Sequence, residues 1–354
     1  LLDLAGLTDQ VAAVSRLLTY RNAILTLVLG GVSAVVAQAL GIAAPFLTGP
    51  AFVVTLAALA GMKTEVPDAL RDFCMLLLGI GIGADVTPEV LKAAMSWPVS
   101  FLALAIVMYL TIRLNALLFA RIFRFPEAEA TVAAVPGLLS YTIAIAEDKG
   151  MNVARVSLIQ TLRVMLLTLL VPPVMGLIPK GDIPAADVVS MGYGWILILL
   201  VAGAAFAWIL RRRHIPAAIF LAGFAVSAAT HLSGISPGVL PDWIGLSAFA
   251  VIGTLIGSRF RGVGFADLKA SLLAGVGMTV LASLIALAGG AVVALILVLP
   301  AEALFISFAP GGLEVMIALA AQMGVDGTFV AAHHIARLLI LMALVPLLLR
   351  GLRT

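Results

Sequence analysis

Unbroken apolar stretches recur along this chain from Ala23 to Leu349, separated by short clusters of charge, proline and glycine. Each is long enough to cross a bilayer as a helix, which takes roughly 20 apolar residues. The breaks predict six helical segments at 22–41, 44–62, 69–86, 98–119, 126–148 and 153–177. A polar linker follows at 178–187, then six more segments at 190–210, 215–233, 242–258, 270–299, 301–323 and 328–349.

The two sets share a register. One constant offset, the step from Gly49 to Gly223, also carries Pro67-Asp68 onto Pro241-Asp242, and Gly79 and Gly83 onto Gly253 and Gly257. The same step carries Pro136-Gly137 onto Pro310-Gly311, Gly150 onto Gly324, Arg163 onto Arg337 and Val171-Pro172 onto Val345-Pro346. Glycine and proline recur easily in so biased a sequence, but an arginine at the same spacing after the glycine of each Pro-Gly pair is harder to produce by chance. The pattern implies an internal duplication.

Composition narrows the class. The 354 residues are 63% hydrophobic and 11% charged, where a soluble domain carries roughly 25% charged residues. With a mean hydropathy of +1.19 there is too little polar surface to cover a soluble core. The net charge of +3 points to cytoplasmic loops rather than to nucleic acid, because the basic residues cluster between the apolar segments. The single Cys74 excludes a disulfide framework or a cysteine metal cluster. Residues 23–40 follow Arg16 and Arg21 and read as a first membrane helix rather than a cleaved signal.

Charge also chooses between topologies. If all twelve segments crossed from a cytoplasmic N-terminus, Arg211-Arg212-Arg213 and Arg259, Arg261 and Lys269 would lie outside, against the positive-inside rule. If the fifth segment of each half enters and leaves on one side, these residues become cytoplasmic, as do Arg121, Arg124, Lys149 and Arg155. The fifth segments suit that role, since Pro136-Gly137 and Pro310-Gly311-Gly312 cut each into short arms of about 15 Å, half the hydrocarbon core. The expected fold is therefore an all-α polytopic membrane protein of two inverted repeats, with about ten transmembrane helices and two re-entrant broken hairpins. The expected divisions are a cytoplasmic segment at 1–21, a first repeat at 22–177, a linker at 178–189, a second repeat at 190–349 and a cytoplasmic tail at 350–354.

The half-helix after each break opens with unpaired N–H groups and a partial positive charge, which makes two such tips an anion or ion site. The first tip carries Pro136, Gly137, Ser140 and Thr142; the second carries Pro310, Gly311, Gly312 and Glu314. Arg163 and Arg337 each fall near the bilayer centre, where an arginine needs a partner. They either fork onto a substrate carboxylate or are structural, Glu314 neutralising one while carbonyl oxygens at the broken ends hold the other. His333 and His334 precede Arg337 at helical spacing, as Gln160 precedes Arg163. A proton-coupling histidine and a neutral, hydrogen-bonded one both fit. No metal site is expected, because adjacent histidines diverge on a helix and no third ligand has suitable spacing. No phosphate loop, nucleophile elbow or zinc signature occurs, so an enzyme has no direct support.

The stretches AVPGLLSYTIAIAEDKGMNVARVSLIQTLRVMLLTLLVPP (134–173) and FAPGGLEVMIALAAQMGVDGTFVAAHHIARLLILMALVP (308–346) closely resemble the bacterial AbrB-type integral membrane family. LLLGIGIGADVTPEVLKAA and VIGTLIGSRF support the likeness, which covers nearly the whole chain from about residue 23. Members have been labelled both an ammonia monooxygenase and a regulator of gene expression. The first label needs metal ligands that are not found, and the second a DNA-binding or signalling element. More distantly, the Gly-rich helix, the broken PGG helix and the next helix are similar to one repeat of bile-acid/sodium symporters, a fold-level likeness that implies transport.

The expected function is thus secondary transport of a small organic anion, coupled to protons or sodium, across the bacterial inner membrane, with both termini cytoplasmic. A membrane-embedded sensor or regulator without transport is the alternative, and a membrane enzyme a distant third. The expected partners are the bilayer and the anion, with a homodimer left open and no nucleic acid. No cofactor beyond Na+ or H+ is expected.

Overall fold

The computed structural model describes residues 2–352 except 138, 176–188, 214, 216, 237, 298, 300 and 351, and leaves the side chains of 2–19, 89, 91, 93, 96 and 140 undescribed. The described residues are helical almost throughout, and the chain is an all-α polytopic membrane protein. In chain order the helices are α1 (Leu2–Ala39), α2 (Pro45–Leu59), α3 (Asp68–Ala84), α4 (Pro88–Ala93), α5 (Pro98–Arg121), α6 (Glu127–Ala134), α7 (Leu139–Asp148) and α8 (Val153–Met175). Then come α9 (Tyr193–Arg212), α10 (Ala218–Leu232), α11 (Asp242–Ser258), α12 (Phe265–Leu297), α13 (Ala301–Phe308), α14 (Leu313–Gln322) and α15 (Gly327–Leu349).

Six of these, α1 from Tyr20, α5, α8, α9, α12 and α15, are long and apolar enough to cross a membrane. The helix bounds repeat along the chain. The offset that carries Gly49 onto Gly223 also carries both ends of α3, α6, α7 and α8 onto those of α11, α13, α14 and α15.

Local chemistry sets the ends. Pro67-Asp68 and Pro241-Asp242 open α3 and α11, each proline in extended backbone and each aspartate at the positive helix start. Asp326 caps α15 by accepting from the N–H groups of Thr328 and Phe329 at 2.9 and 3.0 Å. Two differences from the sequence reading stand out. The predicted 1–21 segment is not separate from the first membrane helix, because α1 runs back without a break to Leu2. A short helix, α4, also precedes α5, started by Thr87 and Pro88. The linker at 178–187 lies outside the described residues, as do Arg353 and Thr354 of the tail.

Packing rests on glycine, since lipid tails remove the hydrophobic drive between helices and leave close contact to do the work. α3 and α10 run side by side in one direction. Gly79 faces Phe220, Gly83 faces Phe224 and Ala228, and the Ser227 hydroxyl donates across to Ile80 O at 2.7 Å. α2 and α11 pair the same way, with Gly253 on Leu47 and Gly257 on Ala51 and Thr55. α8 is the most enclosed of the long helices, 72% of its apolar window being buried against 22–33% for the other five. Arg163 therefore sits in the middle of the molecule.

Helix ends gather at two faces. The start of α3, the end of α9, the start of α10 and the end of α11 surround one cavity, which carries Arg71, Arg211 and Arg259 and marks the basic face. The start of α2, the end of α3, the start of α11 and the end of α14 surround another, with Asp85 and Asp242. The Arg155 guanidinium, in the first turn of α8, pairs with buried Glu129 in the first turn of α6 at 2.6 Å. The first turn of α6 and that of α8 therefore lie together, so α6 and α7 go in and return to the same level.

Candidate functional site

The site forms where the two broken segments meet. Val135 takes an extended conformation at the end of α6 (φ −65°, ψ 123°), as a residue before proline prefers. Gly137 then turns the chain with φ +87°. Gly312 opens α14 from an extended conformation (ψ 149°).

Both arginines close the broken ends. Arg163 Nη1 donates to Val135 O at 3.0 Å, and Gln160 Nε2 donates to Val135 O at 2.8 Å and Ala133 O at 3.3 Å. Arg337 Nη1 donates to Ala309 O at 2.5 Å and Nη2 to Gly311 O at 2.9 Å. Val135 and Ala309 are themselves counterparts under the repeat offset, so each half uses one device: a guanidinium bonded to the free carbonyls where a half-helix stops. Both arginines are 1% exposed. Arg163 Nε, Arg337 Nε and Gln160 Oε1 have no partner among the described residues.

One expected pairing is corrected. Glu314 does not neutralise Arg163 or Arg337. Its Oε1 lies 3.4 Å from Arg259 Nη2, at the end of α11, and both side chains are about a quarter exposed. The carboxylate sits in the first turn of α14, where the helix dipole also favours it. Carbonyl oxygens, not Glu314, hold both arginines.

A cavity of about 550 Å³ leads from the basic face to this junction. Arg71, Asp72, Arg211, Arg259 and Glu314 line it together with Gly137, Tyr141 and Gly312, and it reaches the buried Gln160 and Arg163. Five residues singled out from sequence, Gly137, Gln160, Arg163, Gly312 and Glu314, thus share one cavity. Pro136, Pro310 and Gly311 are buried in the breaks behind it. Arg337 is behind Gly137, where a Cβ would come within 3.6 Å of its Nε.

The remaining candidates lie elsewhere. Thr142 is buried and donates to Leu139 O at 2.9 Å. The Ser140 side chain is outside what the structure describes. His333 sits among Phe101, Phe329, Trp97 and Phe308. Its Nδ1 faces Phe329 O at 2.8 Å and its Nε2 faces the Ser100 hydroxyl at 2.7 Å. Since a carbonyl only accepts, Nδ1 carries a proton, and the Ser100 hydroxyl lies between His333 Nε2 and Trp97 O, 2.7 Å from each. His334 Nδ1 faces Val330 O at 3.0 Å, and its Nε2 has no partner among the described residues. Neither histidine lines the cavity.

Arg71, Arg211 and Arg259 were read from sequence only as loop charges, and Asp72 was not singled out. One signal was present for Arg259: the repeat offset pairs it with Asp85, so a charge recurs where α3 and α11 end, with opposite sign.

Gly137 offers a local test. Alanine there must hold a left-handed backbone, which costs about 1–2 kcal/mol, and its Cβ would lie 3.4 Å from Gly311 O and 3.6 Å from Arg337 Nε. Gly150 also has positive φ, +64°, but open space around it. Gly137→Ala is expected to lower both melting temperature and ligand affinity, and Gly150→Ala only the former. Thermal unfolding and ligand titration on the two variants check this; equal affinity in both would separate the tip from the site.

A family model described as "Transition state regulatory protein AbrB" matches residues 46–353. The chain is 26% identical over 296 residues to the uncharacterized protein YhjN of Bacillus subtilis (strain 168), covering 77% of this chain and 75% of that protein. No solved structure matches.

Proposed function

The chain belongs to the AbrB family, and we propose that it works as a secondary active transporter of a small organic anion. The observation that carries this reading is the cavity's inner end on Arg163, whose Nε is buried without a partner among the described residues. A carboxylate fits such a group, because its two oxygens accept from a guanidinium fork. The start of α14 opens onto the same cavity and adds unpaired N–H groups and a positive dipole end. Four arginines line the cavity against two carboxylates, Asp72 and Glu314, so its field favours an anion.

We read the two halves as inverted repeats. The parallel pairs α3–α10 and α2–α11 support this, together with the gathering of α2 starts with α3 ends on one face and α3 starts with α10 starts on the other. Counterpart helices then run in opposite directions, and one broken hairpin enters from each face, the arrangement that places a site at mid-membrane. The basic face is taken as cytoplasmic by the positive-inside rule, in the inner membrane of a bacterium.

Proton or sodium coupling is assigned to Glu314, the carboxylate nearest the tip. Glu314→Gln is expected to leave the protein folded and uptake insensitive to the coupling gradient. Normal pH and sodium dependence in that variant would remove Glu314 from the mechanism.

The family's description favours a second reading, a membrane-embedded regulator that senses the anion without moving it. Reconstituted protein separates the two. Thermal-shift screening of small mono- and dicarboxylates identifies a ligand, and uptake of that ligand into proteoliposomes under proton and sodium gradients follows. Gradient-driven uptake above protein-free vesicles is the expected result; binding with no uptake under either gradient would replace the transporter by the sensor.

A further inference from the structure

The cavity on the basic face has a counterpart on the opposite face, of about 480 Å³. The two are lined by the same positions of opposite halves. Phe46, Gly81 and Asp85 line the second cavity, and their second-half counterparts Phe220, Leu255 and Arg259 line the first. Gly245, Leu246 and Phe249 line the second, and their first-half counterparts Arg71, Asp72 and Met75 line the first.

The cavities differ in depth. The first reaches Gly137, Tyr141, Gln160 and Arg163. The second stops at Ala321 and Gln322, the outer end of α14. Their deep counterparts, His334, Arg337 and Val315 (the last matching Tyr141), are shut off from it, since none of them lines the second cavity. The shut half nevertheless contains polar atoms with nothing to bond. Arg337 Nε, His334 Nε2 and Ser307 Oγ are buried without partners among the described residues. Each such atom carries an unrecovered desolvation cost, which water or a ligand would recover.

We propose that Arg337 is a second anion-binding position, occupied when the second cavity deepens to it and the first closes over Arg163. This rests on the transport reading, since it supplies the opposite-face access that transport needs. The physical warrant is the duplication. Two halves of the same design, one open and one packed, have a second arrangement in which their environments are exchanged, with contacts of the same kind throughout. In that arrangement Asp85 takes the mouth position that Arg259 holds here, so the two mouths carry opposite charge. The ligand class is unchanged, a small carboxylate held by one guanidinium next to a half-helix start.

Cysteine accessibility tests this on the full-length protein. Cys74 is the chain's single cysteine, so Cys74→Ala gives a clean background for Tyr141→Cys and Val315→Cys. A membrane-impermeant maleimide is applied separately to each side of oriented vesicles. The expected result is reaction of Y141C from the basic face and of V315C from the opposite face only. In the double variant, prior modification of Y141C wedges the first cavity open and is expected to slow V315C on the order of tenfold, by holding the population in one state. His334→Cys is a second reporter of the shut half should Val315→Cys fail to fold. Absence of reaction at V315C and H334C from the opposite face, in protein whose Y141C reacts, overturns the second position. Uptake by the wild-type and Cys74→Ala proteins keeps the readings apart: uptake there without V315C or H334C reaction removes Arg337's role and leaves transport standing. Reaction without uptake of any bound anion supports the second position and removes transport.

Discussion

Arg163→Lys is expected to weaken anion binding by on the order of tenfold to a hundredfold, the equivalent of one charge-assisted hydrogen bond, with only a modest loss of stability. Arg337→Lys is expected to do the reverse in binding measured from the basic face. The two arginines have the same burial and the same kind of carbonyl partner, yet only Arg163 lines the open cavity. Lysine keeps the charge at both positions but cannot reproduce a planar fork. At position 163 the carbonyl contact is a single bond to Val135 O, shared with Gln160, so a lysine head can satisfy it. At position 337 two carbonyls, Ala309 O and Gly311 O, are bridged by separate nitrogens. A lysine there leaves one of them buried and poorly bonded, a loss of about 1–3 kcal/mol. Melting temperature and ligand affinity measured on the same preparations decide between the roles. Wild-type affinity in a folded Arg163→Lys protein would sink the anion site.

Much of this junction could be read from sequence because proline, glycine and charge act locally. A proline followed by glycine stops a helix wherever it falls, so the breaks at Pro136 and Pro310 could be placed before any packing was known. A mid-membrane arginine must find a partner, which marked Arg163 and Arg337. What sequence could not supply was the identity of those partners. The carbonyls of Val135 and Ala309 precede the arginines by 28 positions, and backbone oxygens carry no side-chain signature. The Glu314–Arg259 pair, separated by 55 positions, exists only because α11 ends beside the start of α14. His333 looked like a titrating candidate because its aromatic surroundings are invisible locally: they come from separate elements, including Trp97 and Phe101 in the first half of the chain. The N-terminal extension of α1 was missed for another reason: charged residues were taken as the end of a helix, when they mark only the end of its apolar part.

The largest loss of stability is expected from one added carbon at the helix crossings. A Cβ at Gly79 would overlap Phe220 O, and one at Gly253 would overlap Leu47 O. Both contacts are to backbone, which cannot rotate away as a side chain would. Gly79→Ala and Gly253→Ala must therefore push α3 from α10 and α2 from α11, at a cost of about 3 kcal/mol or more, the upper range for overpacking. Gly81 is the control on the same helix: its nearest neighbour would be Leu240 Cδ2 at 3.8 Å. Alanine there should be neutral or stabilise by about 0.5–1 kcal/mol, through the lower entropy loss of alanine in a helix. The crossings also set the cavities, because α3, α10 and α11 line the one on the basic face. Any Gly79→Ala protein that survives should bind the anion weakly, whereas Gly81→Ala should bind it normally. Expression yield, thermal unfolding in detergent and ligand titration on the three variants measure each part. A Gly79→Ala protein as stable as Gly81→Ala would mean that the close crossing of α3 and α10 is not what holds the two halves together.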